Sequence, residues 1–293
     1  MIENHAAQTF EIDANGLELR ATAAPVAWGK GRWPAADWID GELFWCLRHG
    51  GEALLIRAEQ SNASTITVSG FAERSAAEEW LTKCLGWGQS HPVIDEPVAA
   101  SWLARYPGLR PYAHGSLAEG VLFSITGQSI SVQAAAVTER RVSAMFTKPL
   151  NAGVREFFPF PLIEDLASAT AAQIRESGVT WRRAEAIVAI AKIVCDGDFI
   201  SDEAAMADPD EAFKALRSLP LVGPWTAASA LLWGIGAADA HPSGDVALLR
   251  AAKAAYDRPE MTLKDLDKLA EAWRPARAWA ARALWVSLLG LAE

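Results

Sequence analysis

The chain has few of the residues that identify a metal or redox protein. It contains three cysteines among 293 residues, Cys46, Cys84 and Cys195, and none of them forms a Cys-x-x-Cys pair. A structural zinc site, an iron–sulfur cluster or a dithiol motif needs closely spaced ligands. The five histidines also follow no ligand spacing. We therefore expect reduced cysteines packed as small hydrophobic side chains, no side-chain metal site and no cofactor.

Long apolar runs are absent as well. No stretch approaches the ~18 uninterrupted apolar residues that a membrane-spanning helix needs. Residues 1–5 lack the basic segment and apolar run of a secretion signal. The composition is nevertheless 51% hydrophobic, which is typical of a protein with a large buried core. These features predict a soluble, cytoplasmic protein with no membrane partner.

The chain lacks the excess of basic residues that usually accompanies nucleic-acid binding. Its formal net charge is −9, whereas phosphate binding normally produces a basic surface. The negative charge is concentrated in residues 1–100, which contain 7 Lys and Arg against 14 Asp and Glu. Residues 101–293 contain 20 against 22. A nearly neutral domain can bind DNA when its positive groups lie on one face, with modest affinity and a shallow salt dependence.

Short apolar or alternating runs between turn residues predict an antiparallel sheet in residues 9–71. The runs are Thr9–Ile12, Leu17–Arg20, Ala53–Arg57 and Thr65–Val68, with turns at Asn15-Gly16 and His49-Gly50-Gly51. Ser75 to Leu85 has the spacing of an amphipathic helix, which we expect to pack on that sheet. Residues 1–100 are thus predicted to form an α+β N-terminal domain, a small antiparallel sheet with a helix.

The remaining residues, 101–293, are predicted to form an almost entirely helical domain. They are rich in alanine and show a periodicity of 3.6 residues, interrupted by proline and glycine. The interruptions are Pro107-Gly108, Pro159-Phe160-Pro161, Gly178, Pro209, Pro220 and Pro242.

Residues 219–250 contain the most informative pattern. Leu219-Pro220-Leu221-Val222-Gly223 precedes the apolar helix pattern that starts at Pro224, and this spacing predicts a hairpin whose N–H groups point toward one anion. Asp245 follows a Pro-Ser-Gly turn and precedes another apolar run. It is therefore predicted to begin a helix near the hairpin, where it is either an ordinary N-cap or a catalytic carboxylate.

This pattern resembles the helix-hairpin-helix DNA glycosylases. The order of the two domains is similar to the 3-methyladenine DNA glycosylase II (AlkA-type) branch of that superfamily. Four segments match in order: Pro107–Arg110, Ser124–Ser131, the hairpin with Asp245, and Trp273–Ala280. The first domain matches only in its place before the helical domain and in its mixed pattern of strands and helix, without a sharp motif. The resemblance implies an α+β domain followed by a helix-hairpin-helix glycosylase domain.

The resemblance implies an enzyme of base excision repair that flips an alkylated purine, of the 3-methyladenine or 7-methylguanine type, out of double-stranded DNA. Asp245 would be the catalytic residue that stabilises the positive charge on the sugar or orients water. Trp225 stands where strand-cleaving members have a lysine. Because tryptophan cannot form an imine, the enzyme would hydrolyse the glycosidic bond without lyase activity.

The resemblance also implies the other site residues. Trp225, Trp285 and Trp273 are expected to line the base pocket, where an aromatic face attracts a cationic base. Arg250, five residues after Asp245, has counterparts in many members of the superfamily. The residues expected to contact DNA are Gln128, Ser129, Leu221, Gly223, Thr226 and Arg250. We expect His241 to be solvated or capping, and Arg182-Arg183 to be solvated, with no role in the site.

Two positions depart from the family pattern. Leu221 replaces the usual first hairpin glycine, which suggests a distorted hairpin or a weaker phosphate contact. Ser129, followed by Ile130, replaces the bulky apolar residue that often fills the gap in the duplex. Family hairpins also bind a structural cation through backbone carbonyls, so a monovalent or divalent ion at that place is a further expectation.

Two alternatives remain open at the level of the sequence. The substrate could be an oxidised or deaminated purine, since pockets vary within the superfamily. The chain could also be a noncatalytic damage-binding protein that retains the hairpin, a hypothesis favoured by Leu221, Ser129 and the acidic net charge. In each case we expect a monomer that binds damaged duplex DNA.

Overall fold

An antiparallel sheet forms the first part of the chain in the computed structural model, which describes residues 8–288. Residues 1–5, on which the absence of a secretion signal was predicted, lie outside this range. The strands are β1 (Thr9–Asp13), β2 (Ala36–Ile39), β3 (Glu42–His49), β4 (Glu52–Asn62) and β5 (Thr65–Ser69). All neighbours are antiparallel in the order β1-β5-β4-β3-β2. The fold class predicted for this part is confirmed.

The sheet follows the alternation of the sequence. Gly50 and Gly51 both have positive φ and connect β3 to β4, as the Gly-Gly turn predicts. Ile12, Ile56 and Ile66 are buried in one hydrophobic cluster with α3 (Arg74–Leu85). The apolar face of the helix therefore covers one face of the sheet, as the periodicity predicts.

The predicted strand at Leu17–Arg20 is wrong. Leu19 begins the short helix α1 (Leu19–Thr22), because Asn15 and Gly16 both adopt positive φ and turn the chain away from the sheet. The side chain of Gln60 supplies the missing backbone partners: its Oε1 accepts from Leu19 N at 2.7 Å and its Nε2 donates to Leu17 O at 2.9 Å. Leu17 and Leu19 are still buried, so alternation indicated burial correctly but not the backbone conformation.

Helices form most of the described chain after residue 96. They are α4 (Pro97–Ala104), α5 (Leu117–Gly127), α6 (Val132–Phe146), α7 (Ile163–Ser168), α8 (Ala171–Arg175), α9 (Trp181–Cys195), α10 (Asp202–Ala207), α11 (Pro209–Arg217), α12 (Pro224–Gly234), α13 (Val246–Ala255), α14 (Leu263–Ala270) and α15 (Arg277–Ser287). The short helix α2 (Pro25–Trp28) belongs to the first part. The predicted interruptions at Gly178, Pro220 and Pro242 fall between helices.

One β-hairpin interrupts the part of the chain that is predicted to be almost entirely helical. Strands β6 (Leu150–Ala152) and β7 (Arg155–Phe157) pair across a turn at Gly153, whose φ is 57°. Arg155 fixes this hairpin to the first part of the chain, since Nε bonds to Asp37 Oδ2 at 2.9 Å and a terminal nitrogen donates to Trp33 O at 2.7 Å. These three-residue strands are too short to give a periodic signal in the sequence.

A close helix crossing positions the site. A Cβ on Gly120 of α5 would lie 2.5 Å from Gly234 Cα and 2.8 Å from Ala230 O of α12. Only a residue without a side chain allows the two backbones to approach this closely. The start of α5 therefore lies at the end of α12, and the end of α5 reaches the hairpin that begins α12.

Two hydrophobic clusters form the interior. One contains the sheet and α3, and the other contains most helices, with Ile94 and Ala24 joining it from the first part of the chain. Tyr112 belongs to the sheet cluster, so the clusters interlock around the predicted boundary near residue 100. That boundary stays a prediction. Within residues 8–288 no single helix is long and apolar enough to cross a membrane; α5 and α6 reach that length only jointly, across a bend of 119°.

Candidate active site

The hairpin predicted at residues 219–223 connects α11 to α12. Val222 N donates to Leu219 O at 3.3 Å, and Gly223 is the N-cap of α12 with Pro224 in the first turn. Leu221 has a φ of 61°, the left-handed conformation that glycine adopts without strain. The turn therefore forms with leucine at this position, at a backbone cost of about 1 kcal/mol.

Asp245 begins α13 and reaches back to the hairpin helix. Its Oδ1 accepts from Leu248 N at 2.7 Å, the bond of an N-cap. Its Oδ2 accepts from Trp225 Nε1 at 3.4 Å, across 20 residues of sequence. Both side chains are half-buried. The carboxylate thus contacts a side chain from the first turn of α12, a turn whose N–H groups have no intrahelical acceptor.

A supporting turn fixes the backbone before Asp245. Asp245 N donates to Pro242 O at 3.1 Å. Asp267 of α14 binds this turn twice, through His241 Nε2 and through Ser243 Oγ, both at 2.8 Å. Of the two roles expected for His241, solvated or capping, the solvated one does not hold, since its side chain is only 7% exposed. Sequence reasoning missed Asp267, which lies two elements away and has no local motif.

Gln128 connects the loop between α5 and α6 to the hairpin. Its Nε2 donates to Leu221 O at 3.0 Å and to Thr226 Oγ1 at 2.7 Å. Thr226 is buried, so these bonds are shielded from water. The structure therefore brings together three of the predicted DNA contacts, although here they bind one another.

The tip of the same loop is exposed. Ser129 has a φ of 56°, which turns the chain, and Ile130 beyond it is 39% exposed. Arg183 of α9 donates to Gln128 O. The expectation that Arg183 is merely solvated is therefore wrong, because this residue binds the backbone of the loop.

The remaining predicted DNA contacts lie on the hairpin and on α13. Gly223 is half-buried at the start of α12, with no heavy atom within 4 Å of the position a Cβ would occupy. Arg250 is exposed on α13, five residues after Asp245. Among residues 8–288 no hydrogen bond or ion pair fixes its side chain, and its role stays a prediction.

Trp285 belongs to an aromatic group that we call the tryptophan cluster: Trp28, Trp233 and Trp285. The rings of Trp233 and Trp285 stack with centroids 5.3 Å apart. Trp28 of α2 packs edge-on against both, at 5.9 Å and 6.1 Å. The N-terminal part of the chain thus supplies one ring of the tryptophan cluster. Sequence reasoning missed this contribution because Trp28 belongs to no recognisable motif.

Trp273 lies apart from the other predicted pocket residues. It is fully buried, its Nε1 donates to Tyr256 Oη at 2.9 Å, and its ring packs against His241 at 6.3 Å between centroids. None of the described aromatic contacts joins it to Trp225 or Trp285. Its observed contacts support the turn before Asp245.

A buried cation lies beneath the tryptophan cluster. Arg282 is 3% exposed, donates to Leu232 O at 2.8 Å and places its guanidinium carbon 4.9 Å from the ring centroid of Trp233. Burial lowers the pKa of Arg282 to about 9, so the group is still charged at neutral pH. The charge of Arg282 therefore influences any base bound at this cluster.

Two hairpin carbonyls already accept hydrogen bonds, and the structural cation that the resemblance implies stays a prediction. Leu221 O already accepts from the Gln128 amide, and Leu219 O accepts from Val222 N. An N–H donor directed at one of these oxygens opposes a cation beside it. Within residues 8–288 no group of three or more His, Cys, Asp or Glu side chains is arranged to hold a metal.

A separate cavity of about 230 Å³ lies between the sheet and the helices. Arg48, His114, Glu119 and Glu139 are among its lining residues, and none of the predicted site residues lines it. Burial, followed by the charge of Asp202, raises the pKa of Glu119 to about 7. Burial also lowers the pKa of His114 to about 4. Near neutral pH the charge of Glu119 therefore depends on pH, whereas His114 is uncharged.

Comparisons with known proteins agree with this geometry. The chain is 29% identical over 198 residues to DNA-3-methyladenine glycosylase 2 of Escherichia coli, a match that covers 67% of each protein. The 3-methyladenine DNA glycosylase of Archaeoglobus fulgidus superposes with a TM-score of 0.77 at 21% identity, over 96% of this chain and 99% of that one. No family model matches the sequence.

A third protein shares the fold with DNA bound. The 8-oxoguanine glycosylase/lyase of Clostridium acetobutylicum, in complex with double-stranded DNA, superposes with a TM-score of 0.74 at 15% identity, covering 94% of this chain and 93% of that one. The antiparallel sheet followed by helices is the architecture that this chain shares with both superposed structures. In sequence this chain is similar to the DNA-3-methyladenine glycosylases of the AlkA type, and its fold is that of the helix-hairpin-helix DNA glycosylases.

Proposed function

We propose that this protein is a monofunctional DNA glycosylase that flips alkylated purines from duplex DNA and hydrolyses their glycosidic bond with Asp245. The observation that supports the proposal best is the bond between Asp245 Oδ2 and Trp225 Nε1. It brings the acid to the first turn of the hairpin helix. A sugar beside Asp245 and a neighbouring phosphate at the N-terminus of α12 would then belong to one bound strand.

The hairpin binds phosphate through its backbone. The first N–H groups of α12 have no intrahelical acceptor and carry the positive end of the helix dipole. Gly223 leaves open space around its Cα, which allows a phosphate oxygen to approach the main chain. Arg250 adds a flexible positive charge on α13. This contact positions the strand without reading its sequence.

Asp245 performs the electrostatic part of the reaction. Breaking the glycosidic bond leaves positive charge on the deoxyribose, which an adjacent carboxylate stabilises. Two hydrogen bonds, from Leu248 N and Trp225 Nε1, hold the carboxylate in one orientation. The same oxygens can still accept a bond from water, because each carboxylate oxygen has two lone pairs. The base leaves with the electron pair of the glycosidic bond, water then adds to the sugar carbon, and the proton that this water loses passes to Asp245 and on to solvent.

The reaction ends at the abasic site, because no amine stands at residue 225 to form a Schiff base with the sugar. The test incubates the protein with duplex DNA containing one alkylated purine, with and without hot alkali afterwards. Release of the free base in both samples, with strand breaks only after alkali, is the expected result. Strand breaks without alkali would refute the absence of lyase activity.

The tryptophan cluster and Trp225 form the base pocket in this proposal. Aromatic faces attract a cationic alkylated base with about 0.5–2 kcal/mol, and that base is already a good leaving group. No general acid is then needed to protonate it.

A second candidate substrate is a neutral oxidised or deaminated purine. Arg282 favours it, because a buried positive charge 4.9 Å from the Trp233 centroid repels a cationic base and attracts an exocyclic carbonyl. Matched oligonucleotides with single lesions separate the two candidates by their rates of base release. A noncatalytic damage-binding protein would instead bind these oligonucleotides and release no base from any of them.

The monomeric state is also part of the proposal. Size-exclusion chromatography with light scattering at several protein concentrations tests it, since a monomer has a mass of 31.5 kDa throughout. A mass that rises with concentration would contradict it.

A further inference from the structure

We propose that Trp181 stacks on the base of the complementary strand that loses its partner when the damaged nucleotide is flipped. The proposal rests on the proposed function, since it requires duplex DNA at the hairpin. It assigns a contact to the second strand, which neither Asp245 nor the hairpin provides.

Trp181 is unusual among the tryptophans because it is 49% exposed. A large apolar side chain at the surface has a free-energy cost that a binding partner removes. The guanidinium carbon of Arg175 lies 5.0 Å from the centroid of the indole ring. This cation–π contact holds the ring in place, so stacking on it costs little side-chain entropy.

The position of Trp181 relative to the hairpin follows from three hydrogen bonds. Arg183, two residues after Trp181, donates to Gln128 O. The Gln128 side chain donates in the other direction, to Leu221 O and Thr226 Oγ1 of the hairpin. The loop that begins at Gln128 is therefore bonded both to the hairpin and to the start of α9.

This arrangement matches the two strands of a duplex. With the damaged strand held at the hairpin, the exposed loop tip at Ser129 and Ile130 faces the gap left by the flipped base. The start of α9 binds the backbone carbonyl of Gln128 whereas the hairpin binds its side chain, and we assign the α9 side of the loop to the complementary strand. Arg182, exposed beside Trp181, supplies a positive charge for the phosphates there.

The group that Trp181 would bind is an unpaired base of the complementary strand. Flipping removes one base from the stack and leaves its former partner without a pairing neighbour. An aromatic side chain stacks on such a base, and removing the side chain weakens binding by about 5- to 100-fold. The stacking is independent of sequence because every base has a π-face.

The experiment measures Trp181→Ala on two substrates that carry the same uncleavable abasic analogue, one duplex and one single-stranded. A 2-aminopurine opposite the lesion reports stacking in the duplex by quenching of its fluorescence. We expect the wild type to quench this probe, and the variant to quench it less and bind the duplex 5- to 100-fold more weakly. Single-stranded binding should be unchanged, and Trp181→Phe should restore most of the quenching.

Met206→Ala is the matched control. Met206 is 48% exposed, and its helix α10 lies at the opposite end of α5, where Asp202 Oδ1 accepts from Leu117 N. It should alter neither affinity nor quenching. Equal losses of duplex and single-strand binding by Trp181→Ala, or no loss at all, would overturn the proposal. If the wild type failed to bind the duplex, the proposed function would fail instead.

Discussion

Gln128 provides the sharpest test of how the site is assembled. Its amide donates to one backbone carbonyl and one buried hydroxyl of the hairpin, at 3.0 Å and 2.7 Å. Each bond contributes about 0.5–1.5 kcal/mol, so Gln128→Ala should cost about 1–3 kcal/mol of unfolding free energy. The melting temperature should fall by roughly 2–4 °C per kcal/mol. Calorimetry measures this directly.

Base release should decrease more than stability does. Without its amide contacts the loop no longer holds its position against the hairpin, and a displacement of about 1 Å near reacting groups can reduce rates about 100-fold. We expect single-turnover base release to fall roughly 10- to 100-fold. Gln128→Glu separates the two bonds, because the Thr226 hydroxyl can donate to a carboxylate whereas Leu221 O cannot.

The control is Gln173→Ala, which removes an exposed glutamine from a helix cap distant from the site in sequence. It should change stability by no more than about 1 kcal/mol and leave base release unaltered. If Gln128→Ala showed wild-type melting and wild-type base release, the argument that this amide assembles the site would be refuted.

Two further predictions concern the interior. Folding raises the pKa of Glu119 from 4.5 to about 7, so the folded state binds more protons and stability falls as pH rises through that range. Glu119→Gln should therefore flatten the decline in melting temperature between pH 5 and 7. An unchanged decline would contradict the argument that burial raises this pKa. Trp28→Ala should lower kcat/KM for alkylated duplex DNA about tenfold, while Trp28→Phe should retain most of the wild-type kcat/KM. If both variants were as active as the wild type, Trp28 would be excluded from the pocket.

The sequence predicted those parts of the fold that depend on local patterns. The Gly50-Gly51 turn, helix α3 and the cap at Asp245 each follow from a few adjacent residues. Leu17–Arg20 failed because Gln60, some forty residues away, satisfies the backbone in place of a neighbouring strand. Alternation reports which side chains are buried and does not fix the backbone.

The sequence predicts the individual elements of the site, but it does not predict the hydrogen bonds that connect them. The hairpin and Asp245 have recognisable spacing, whereas Gln128 and Arg183 act through backbone carbonyls that any sequence offers. The contacts of Trp28 and Trp273 were also not predictable from local patterns. Both are tryptophans near predicted elements, yet only the packing of α2 and α15 decides that Trp28 meets Trp285.

The central claim is that Asp245 supplies the charge that cleaves the glycosidic bond, and Asp245→Asn tests it most directly. Asparagine is as good an N-cap and can still accept from Leu248 N, so the melting temperature should be nearly unchanged. Asp208→Asn, at the cap of α11, is the matched control. Single-turnover release of an alkylated purine should fall at least about 100-fold in Asp245→Asn alone, with duplex binding retained. Release at the wild-type rate by Asp245→Asn would contradict the account.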